Sequence, residues 1–418
     1  MGKVFSSFSN RDFRFLWSYF ALSFMATNME FLALGWLVLD ITGSAFWVGA
    51  VVGLKGVGQV TFGLIGGVIA DRFNRRVTLA MVQVLRATAF LIVGLLVISN
   101  QITLWHLMVL GLFQGMFMSV VLPTGEALVY DTVGPRRLLN AIAVKMGAMS
   151  LASIPGSLIA GTIIGLSGPG PCFLTISGLL YVSIGPLLFL RVSYTRKKTT
   201  QSLWRALSEG MGYVMGNAAL RSLLIFGLVM ETFGFSFFIM LPVIARDILE
   251  VGPIGLGFLS AAVSGGGLAA TLSLASAGDF RRKTLALSLA SGSTGLALLF
   301  FSLSQWYGLS MVLASLIGAS LATYDVTMNT TLQLTSTDAM RGRVLGLYGL
   351  TFGFTPLGGF INGSLAAVAG APFALGLGGI LILGGIVSIL FPSRSLWRIP
   401  PVALQRADGA DNGDQPQS

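Results

Sequence analysis

Charge is what this chain most lacks. Of its 418 residues only 10% are Asp, Glu, Lys or Arg, against 54% hydrophobic, where water-soluble domains carry roughly 25% charged residues. A globule of this size with so little polar surface cannot be coated for water. The composition excludes a soluble protein, and a mean hydropathy of +0.82 points to the bilayer as solvent. Cysteine is nearly missing: Cys172 stands alone, which excludes an internal disulfide and a cysteine-based metal cage. His106 is the single histidine, too little for zinc or haem chemistry or a Ser-His pairing. No Gly-x-x-x-x-Gly-Lys-Ser/Thr loop occurs, so a nucleotide-driven pump of that type is excluded as well. The expectation is no cofactor, no metal and no enzyme. Met1 to Asn10 is polar, without an apolar core ahead of a cleavage site, and predicts no removable signal peptide.

What is present in abundance is apolar length. A membrane helix needs roughly 20 mostly apolar residues. Twelve such stretches can be counted, at about 15–39, 46–70, 77–99, 104–128, 141–166, 172–190, 221–244, 252–277, 284–303, 308–332, 343–368 and 372–392. The fold class expected is an all-α membrane protein. Glycine is plentiful, 54 residues, as suits helices that approach closely in lipid.

The net charge of +10 is placed by topology. Alternate loops hold Arg11/Arg14, Arg72/Arg75/Arg76, Arg136/Arg137, Arg191 through Arg221, Arg281/Arg282/Lys283, Arg341/Arg343 and Arg394/Arg398, while the opposite loops hold Arg246 alone. The positive-inside rule makes the basic side cytoplasmic, with both termini there. Nucleic acid is then not needed as a partner; the lipid bilayer is.

The halves repeat. Ala70 to Arg76 after helix 2 is echoed by Gly278 to Lys283 after helix 8, and Met29-Glu30 by Met230-Glu231. Pro135-Arg136-Arg137 parallels Arg341-Gly342-Arg343, and Pro155-Gly156 parallels Pro356 to Gly359. Six helices followed by six in the same orientation form a parallel repeat about the membrane normal. The domains expected are a bundle at 1–190, an amphipathic surface helix at 191–220, a second bundle at 221–392 and a disordered tail at 393–418. The surface helix rests on Leu203, Leu207, Met211 and Val214/Met215 at helical spacing behind Arg196-Lys197-Lys198.

Ionisable residues inside spans are functional candidates by default, since each costs roughly 2.5–3.5 kcal/mol to insert. Glu30 lies 16 residues beyond Arg14, and Lys55 lies 16 before Asp71. At about 1.5 Å per residue both are roughly 24 Å from the basic edge, which predicts a contact. Glu231 falls roughly 15 Å deep, near the midplane, and Asp325 is near mid-membrane with Tyr324, Asn329 and Gln333 around it. Arg86 in helix 3 either partners a carboxylate or snorkels. Phe233 and its neighbours in helix 7 could floor an apolar site, although packing accounts for most of the 29 Phe and 16 Met.

Gly67-Val68-Ile69-Ala70-Asp71-Arg72-Phe73-Asn74-Arg75-Arg76 resembles the signature between helices 2 and 3 of the major facilitator superfamily. Within it the chain is similar to the enterobactin-exporter and drug-efflux branch, through Phe13 to Trp17, Thr42 to Ala45, Glu209 to Tyr213 and Arg341 to Val344. The resemblance covers the chain to about residue 392. It implies two six-helix bundles, with helices 1, 4, 7 and 10 lining a cavity where Glu30, Glu231 and Asp325 meet. Gln114, Phe233, Tyr324 and Asn329 are candidate cavity residues, and Glu30, Glu231, Asp325, Lys55 and Arg86 are coupling candidates. It also implies a cytoplasmic gate of Gly67, Asp71, Arg75, Arg76, Asp279, Arg341 and Arg343, with Asp71 facing helix 11. Asn74 replaces the usual Gly there and is expected to keep the turn through a positive φ. Gly111 stands where drug/proton antiporters carry Arg, and Ser153 to Ser157 keeps only part of their helix 5 element.

The function expected is proton-coupled export of an amphipathic small molecule by alternating access, by a monomer, with a small-molecule substrate and protons as partners. An importer or lipid flippase on the same fold, and a non-transporting sensor, are the alternatives.

Overall fold

A computed structural model of the chain describes residues 6–134, 137–191, 203–277 and 283–392. No strand occurs among them. A 3-10 turn, Ser6–Ser9, leads into α1 (Arg11–Thr42), α2 (Ala45–Arg72), α3 (Arg75–Ile98), α4 (Leu104–Val133), α5 (Leu138–Ser167) and α6 (Pro169–Leu188). A short α7 (Leu203–Gly216) follows. The second half is α8 (Ala218–Val229), a π-helical turn (Met230–Phe235), α9 (Phe237–Asp247), α10 (Gly252–Ala277), α11 (Lys283–Leu303), α12 (Tyr307–Thr335), α13 (Asp338–Thr351), α14 (Phe354–Ala369) and α15 (Ala371–Gly385), which ends in a second π turn, Ile386–Leu390. Twelve helices among the described residues are long and apolar enough to cross a membrane. Here α8 with α9 makes the seventh span and α13 with α14 the eleventh. The protein is a multi-pass membrane protein of two six-helix bundles.

Local chemistry sets the helix ends. Asn10 caps α1 by accepting from Asp12 N at 2.9 Å, and Gly43 ends it at φ +61°, a conformation that Gly adopts without steric cost. Asn217 caps α8 by accepting from Ala219 N and Leu220 N. Asn74 corrects the expectation of a positive φ: it is extended at φ −64°, and its side chain accepts from Arg76 N and Val77 N as the cap of α3. The turn survives because Asn is a good N-cap, not because it mimics Gly.

Two spans expected to be continuous are broken. Pro356 has no N–H and its ring clashes with the carbonyl four residues earlier; α13 duly stops at Thr351 and α14 starts at Phe354. In the seventh span the π turn carries Glu231. Asn362 of α14 donates to Thr232 O at 3.1 Å and to Ser236 Oγ at 2.6 Å, so it holds a turn whose ladder is disturbed. Gly358 makes the approach possible, since a Cβ there would stand 2.7 Å from Thr232 Cα.

The same helix pairs recur in both halves: α2 with α4 and α10 with α12, then α3 with α6 and α11 with α15. Glycines set the spacing. Gly115 lies against Lys55 O and Gly318 against Val263 O, each too close to admit a Cβ. This is van der Waals packing of small residues, which drives helix association where lipid removes the hydrophobic incentive.

Between the halves the packing is one-sided. At the end away from Ser6, a Cβ on Gly49 of α2 would stand 3.1 Å from Gly363 Cα of α14. Likewise a Cβ on Gly161 of α5 would stand 2.8 Å from Gly257 Cα of α10. Arg246 of α9 donates across the halves to Leu39 O near the end of α1. At the end holding Ser6, a Cβ on Gly63 or Gly67 would meet nothing within 4 Å among the described residues.

Candidate functional site

Two polar clusters are buried in the spans, one in each half. In the first, Glu30 of α1 is 1% exposed and accepts from Lys55 Nζ of α2 at 3.0 Å. Its other oxygen lies 3.3 Å from Arg86 Nη2 of α3. Arg86 is itself buried, and its remaining donors reach Gln114 Oε1 at 3.1 Å, Gln83 Oε1 at 3.4 Å and Thr27 Oγ1 at 3.2 Å. Gln83 in turn donates to Ser23 and Ser183, both at 2.9 Å. Cations from α2 and α3 thus converge on the α1 carboxylate, and the surrounding hydrogen bonds extend to α4 and α6. Each buried charge here is hydrogen-bonded, the condition under which a charge survives burial.

The second cluster is built on different chemistry. Glu231 is 2% exposed. One of its oxygens accepts from Thr355 Oγ1, and the other is buried without a partner. Asp325 of α12 accepts from Asn329 Nδ2 at 3.0 Å and from Tyr348 Oη at 3.3 Å. Tyr324 packs between Phe226 and Phe235, with ring centroids 6.2 Å away in each case. Among the described residues no Lys or Arg pairs with either acid.

The remaining candidates divide by place. Gln114 belongs to the first cluster and Tyr324 and Asn329 to the second. Phe233 lies against Gly378 of α15, on the side where spans seven and twelve pack. Phe237 is buried edge-on to Phe301 at 5.0 Å. Phe238 meets Phe31 across the halves at 6.4 Å.

The basic residues at the Ser6 end bond within the loops and helices beside them. Arg75 pairs with Asp131 of α4. Arg76 donates to Leu190 O at 2.7 Å and Leu188 O at 2.6 Å, at the carbonyl end of α6, where a cation is favoured. Arg343 pairs with Glu209 of α7 at 2.9 Å, and Arg341 donates to Gln333 O at 3.3 Å. Gly67 and Asp71 lie near the end of α2. The side chain of Asp71, like Asp279, is outside the described residues. Lys145 pairs with Glu126, and His106 completes a capping box with Thr103.

Sequence reasoning missed Thr355, Tyr348, Gln83 and Asn362. Their signals were weak, being single polar residues in apolar helices with no charge to mark them. The π turn was also missed, although Gly227 and Gly234 flank Glu231 in the sequence.

Two bundles of six spans, with ionisable side chains buried at mid-span in each, define a transporter of the major facilitator type. A family model described as "Transmembrane secretion effector" matches residues 3–401, and the chain belongs to that family. The enterobactin exporter EntS of Escherichia coli O157:H7 is 24% identical over 403 residues, covering 93% of this chain and 96% of that protein. EntS of Shigella flexneri is 24% identical over 402 residues, covering 93% and 95%. Among solved structures, the nucleoside transporter NupG superposes with a TM-score of 0.69 at 13% identity, covering 93% of this chain and 99% of that one. A bacterial homologue of the human lysosomal transporter Spinster, in an inward-facing and unoccupied conformation, gives 0.71 at 11% identity, covering 93% and 98%. A POT family transporter in complex with 5-aminolevulinic acid gives 0.74 at 12% identity, covering 93% and 97%.

Proposed function

We propose that this transporter exports an amphipathic small molecule, of the size and character of a drug or a siderophore, in exchange for protons. The observation that carries the proton is the second cluster. A carboxylate buried without a cation is costly, and Glu231 offers a bare oxygen and a hydroxyl partner. Taking up a proton removes the charge and turns the bare oxygen into a donor. Asp325, held only by neutral donors, is the second carrier. The resemblance to enterobactin exporters supports the direction.

In this reading both termini are cytoplasmic in the inner membrane, and the described conformation faces inward. The bundles at 1–190 and 221–392 rock about the packed outer end, joined by 191–220, with 393–418 as a tail. Arg75, Arg76, Arg341 and Arg343 would exchange their present partners when the cytoplasmic end closes, with Gly67, Asp71 and Asp279 completing that gate. The monomer carries all of these groups.

The test is transport by purified protein in liposomes with an imposed pH gradient and a panel of amphipathic dyes. Flux is expected to follow the gradient and to lose that dependence in Glu231→Gln with Asp325→Asn. Gradient-driven flux that survives the double substitution overturns the assignment.

A further inference from the structure

The first cluster carries more positive charge than it can neutralise. Lys55 and Arg86 bring two cations to one carboxylate, Glu30, and among the described residues no second acid pairs with either. The donors are also unequal in use. Arg86 spends its groups on Gln114, Gln83, Thr27 and Glu30. Among the described residues Lys55 makes one bond, to Glu30, and an ammonium has three donors.

Gln114 supplies a second, independent observation. Its Oε1 is fixed by Arg86, so its Nε2 must point elsewhere, and that nitrogen is buried without any partner. An orphaned buried donor is costly, and each such group calls for a reason. Gly115 next to it lies against Lys55 O, so Gln114 and Lys55 stem from adjoining turns of packed helices. Lys55 is also the member that reaches open space, with 20% of its side chain accessible. A charged group at this depth faces a bundle interior or a wet cavity and not lipid.

We infer that Lys55 and Gln114 form a subsite for an anionic group of the transported molecule, a carboxylate, phenolate or sulfonate. The anion would take the free hydrogens of Lys55 and the orphaned Nε2–H2, and would balance the surplus charge. Glu30 is then the internal competitor: it holds Lys55 when the subsite is empty and yields part of it when the anion arrives. This deepens the export reading by naming the chemistry of the cargo. It is tested by equilibrium binding alone, so failure of proton coupling in vesicles leaves it standing.

The probes are matched acid and amide pairs, 1-naphthoate with 1-naphthamide and decanoate with decanamide. Thermal shift and calorimetry on detergent-purified protein are the readouts. The acids are expected to bind and the amides to bind roughly tenfold more weakly or not at all, because a charge-assisted bond is about twice as strong as a neutral one. Lys55→Met and Gln114→Leu should each remove the preference for the acid. Glu30→Gln should strengthen acid binding, which a purely structural role for Lys55 does not predict. Equal binding of acid and amide, no binding of either acid, or an acid preference that survives Lys55→Met overturns the subsite. If Glu30→Gln does not fold, the wild-type pairs and Lys55→Met decide.

Discussion

Glu30 and Glu231 each follow a Met, about 200 residues apart in a repeated chain, and both are almost fully buried. Their surroundings are nonetheless opposite. Glu30 is clasped by Lys55 and Arg86, whereas Glu231 meets a threonine hydroxyl and keeps one oxygen without a partner. The repeat shows where the difference was made. Gly115 rests on Lys55 O in the first half, and Gly318 rests on Val263 O in the second, so Val263 stands where Lys55 stands. The residues before those glycines are Gln114 and Ile317. The 208-residue offset from Asp71 to Asp279 carries Arg86 onto Thr294, which is buried and donates to its own helix at Ala290 O. One scaffold was thus given its cations in one half and its titratable acids without cations in the other. In the proposed export reading, the acid left without a cation is the one that exchanges a proton.

The same substitution at the two positions separates these roles most widely. Glu30→Gln strands the buried Arg86 and the half-buried Lys55 and should cost about 3–5 kcal/mol, as removal of one member of a buried ion pair does, read as a lowered midpoint in detergent unfolding. Glu231→Gln should cost less than about 1 kcal/mol, because an amide suits a site with a hydroxyl partner and no cation. Proton-driven flux should nevertheless be abolished. Equal destabilisation by the two would erase the contrast.

Val263→Lys carries the first half's chemistry into the second. The new ammonium is expected to pair with Glu231 and suppress pH-driven flux while leaving the protein folded, judged by vesicle transport beside a melting curve. Flux at the wild-type level would mean that Val263 is not the true counterpart of Lys55. Lys55→Met is milder, since Glu30 keeps Arg86 and Lys55 is partly exposed; a loss of about 1–2 kcal/mol is expected in the same unfolding assay. Thr355→Val is the smallest change. It removes one hydrogen bond from Glu231 and should cost about 1 kcal/mol, with a shifted pH profile for flux as its more telling readout.

Much of the fold could be read from residue types alone. Long uncharged runs are forced by the bilayer, and the basic loops mark alternate ends, so the twelve spans fall within a few residues of their expected limits. Depth counting along two antiparallel helices put Glu30 level with Lys55, and their atoms lie 3.0 Å apart. Rotation about a helix axis is another matter. Nothing along helix 3 says that Arg86 turns inward to join them, nor that Phe233 turns toward α15. Those facings depend on how glycines let backbones meet, and a glycine in sequence does not name the neighbour it admits. The π turn at Glu231 was hidden for a similar reason: it is held by Asn362, more than a hundred residues away.

Arg246 adds a consequence of another kind. It grips a carbonyl of α1 that also caps the helix through Gly43 N at 2.8 Å. A main-chain acceptor is supplied by every amino acid, so the latch has no heritable partner at Leu39. Sequence drift at that position leaves the bond intact, and paired changes between the two sites would not be seen among relatives. This one hydrogen bond between the halves can therefore be lost or regained genetically at one codon, that of Arg246.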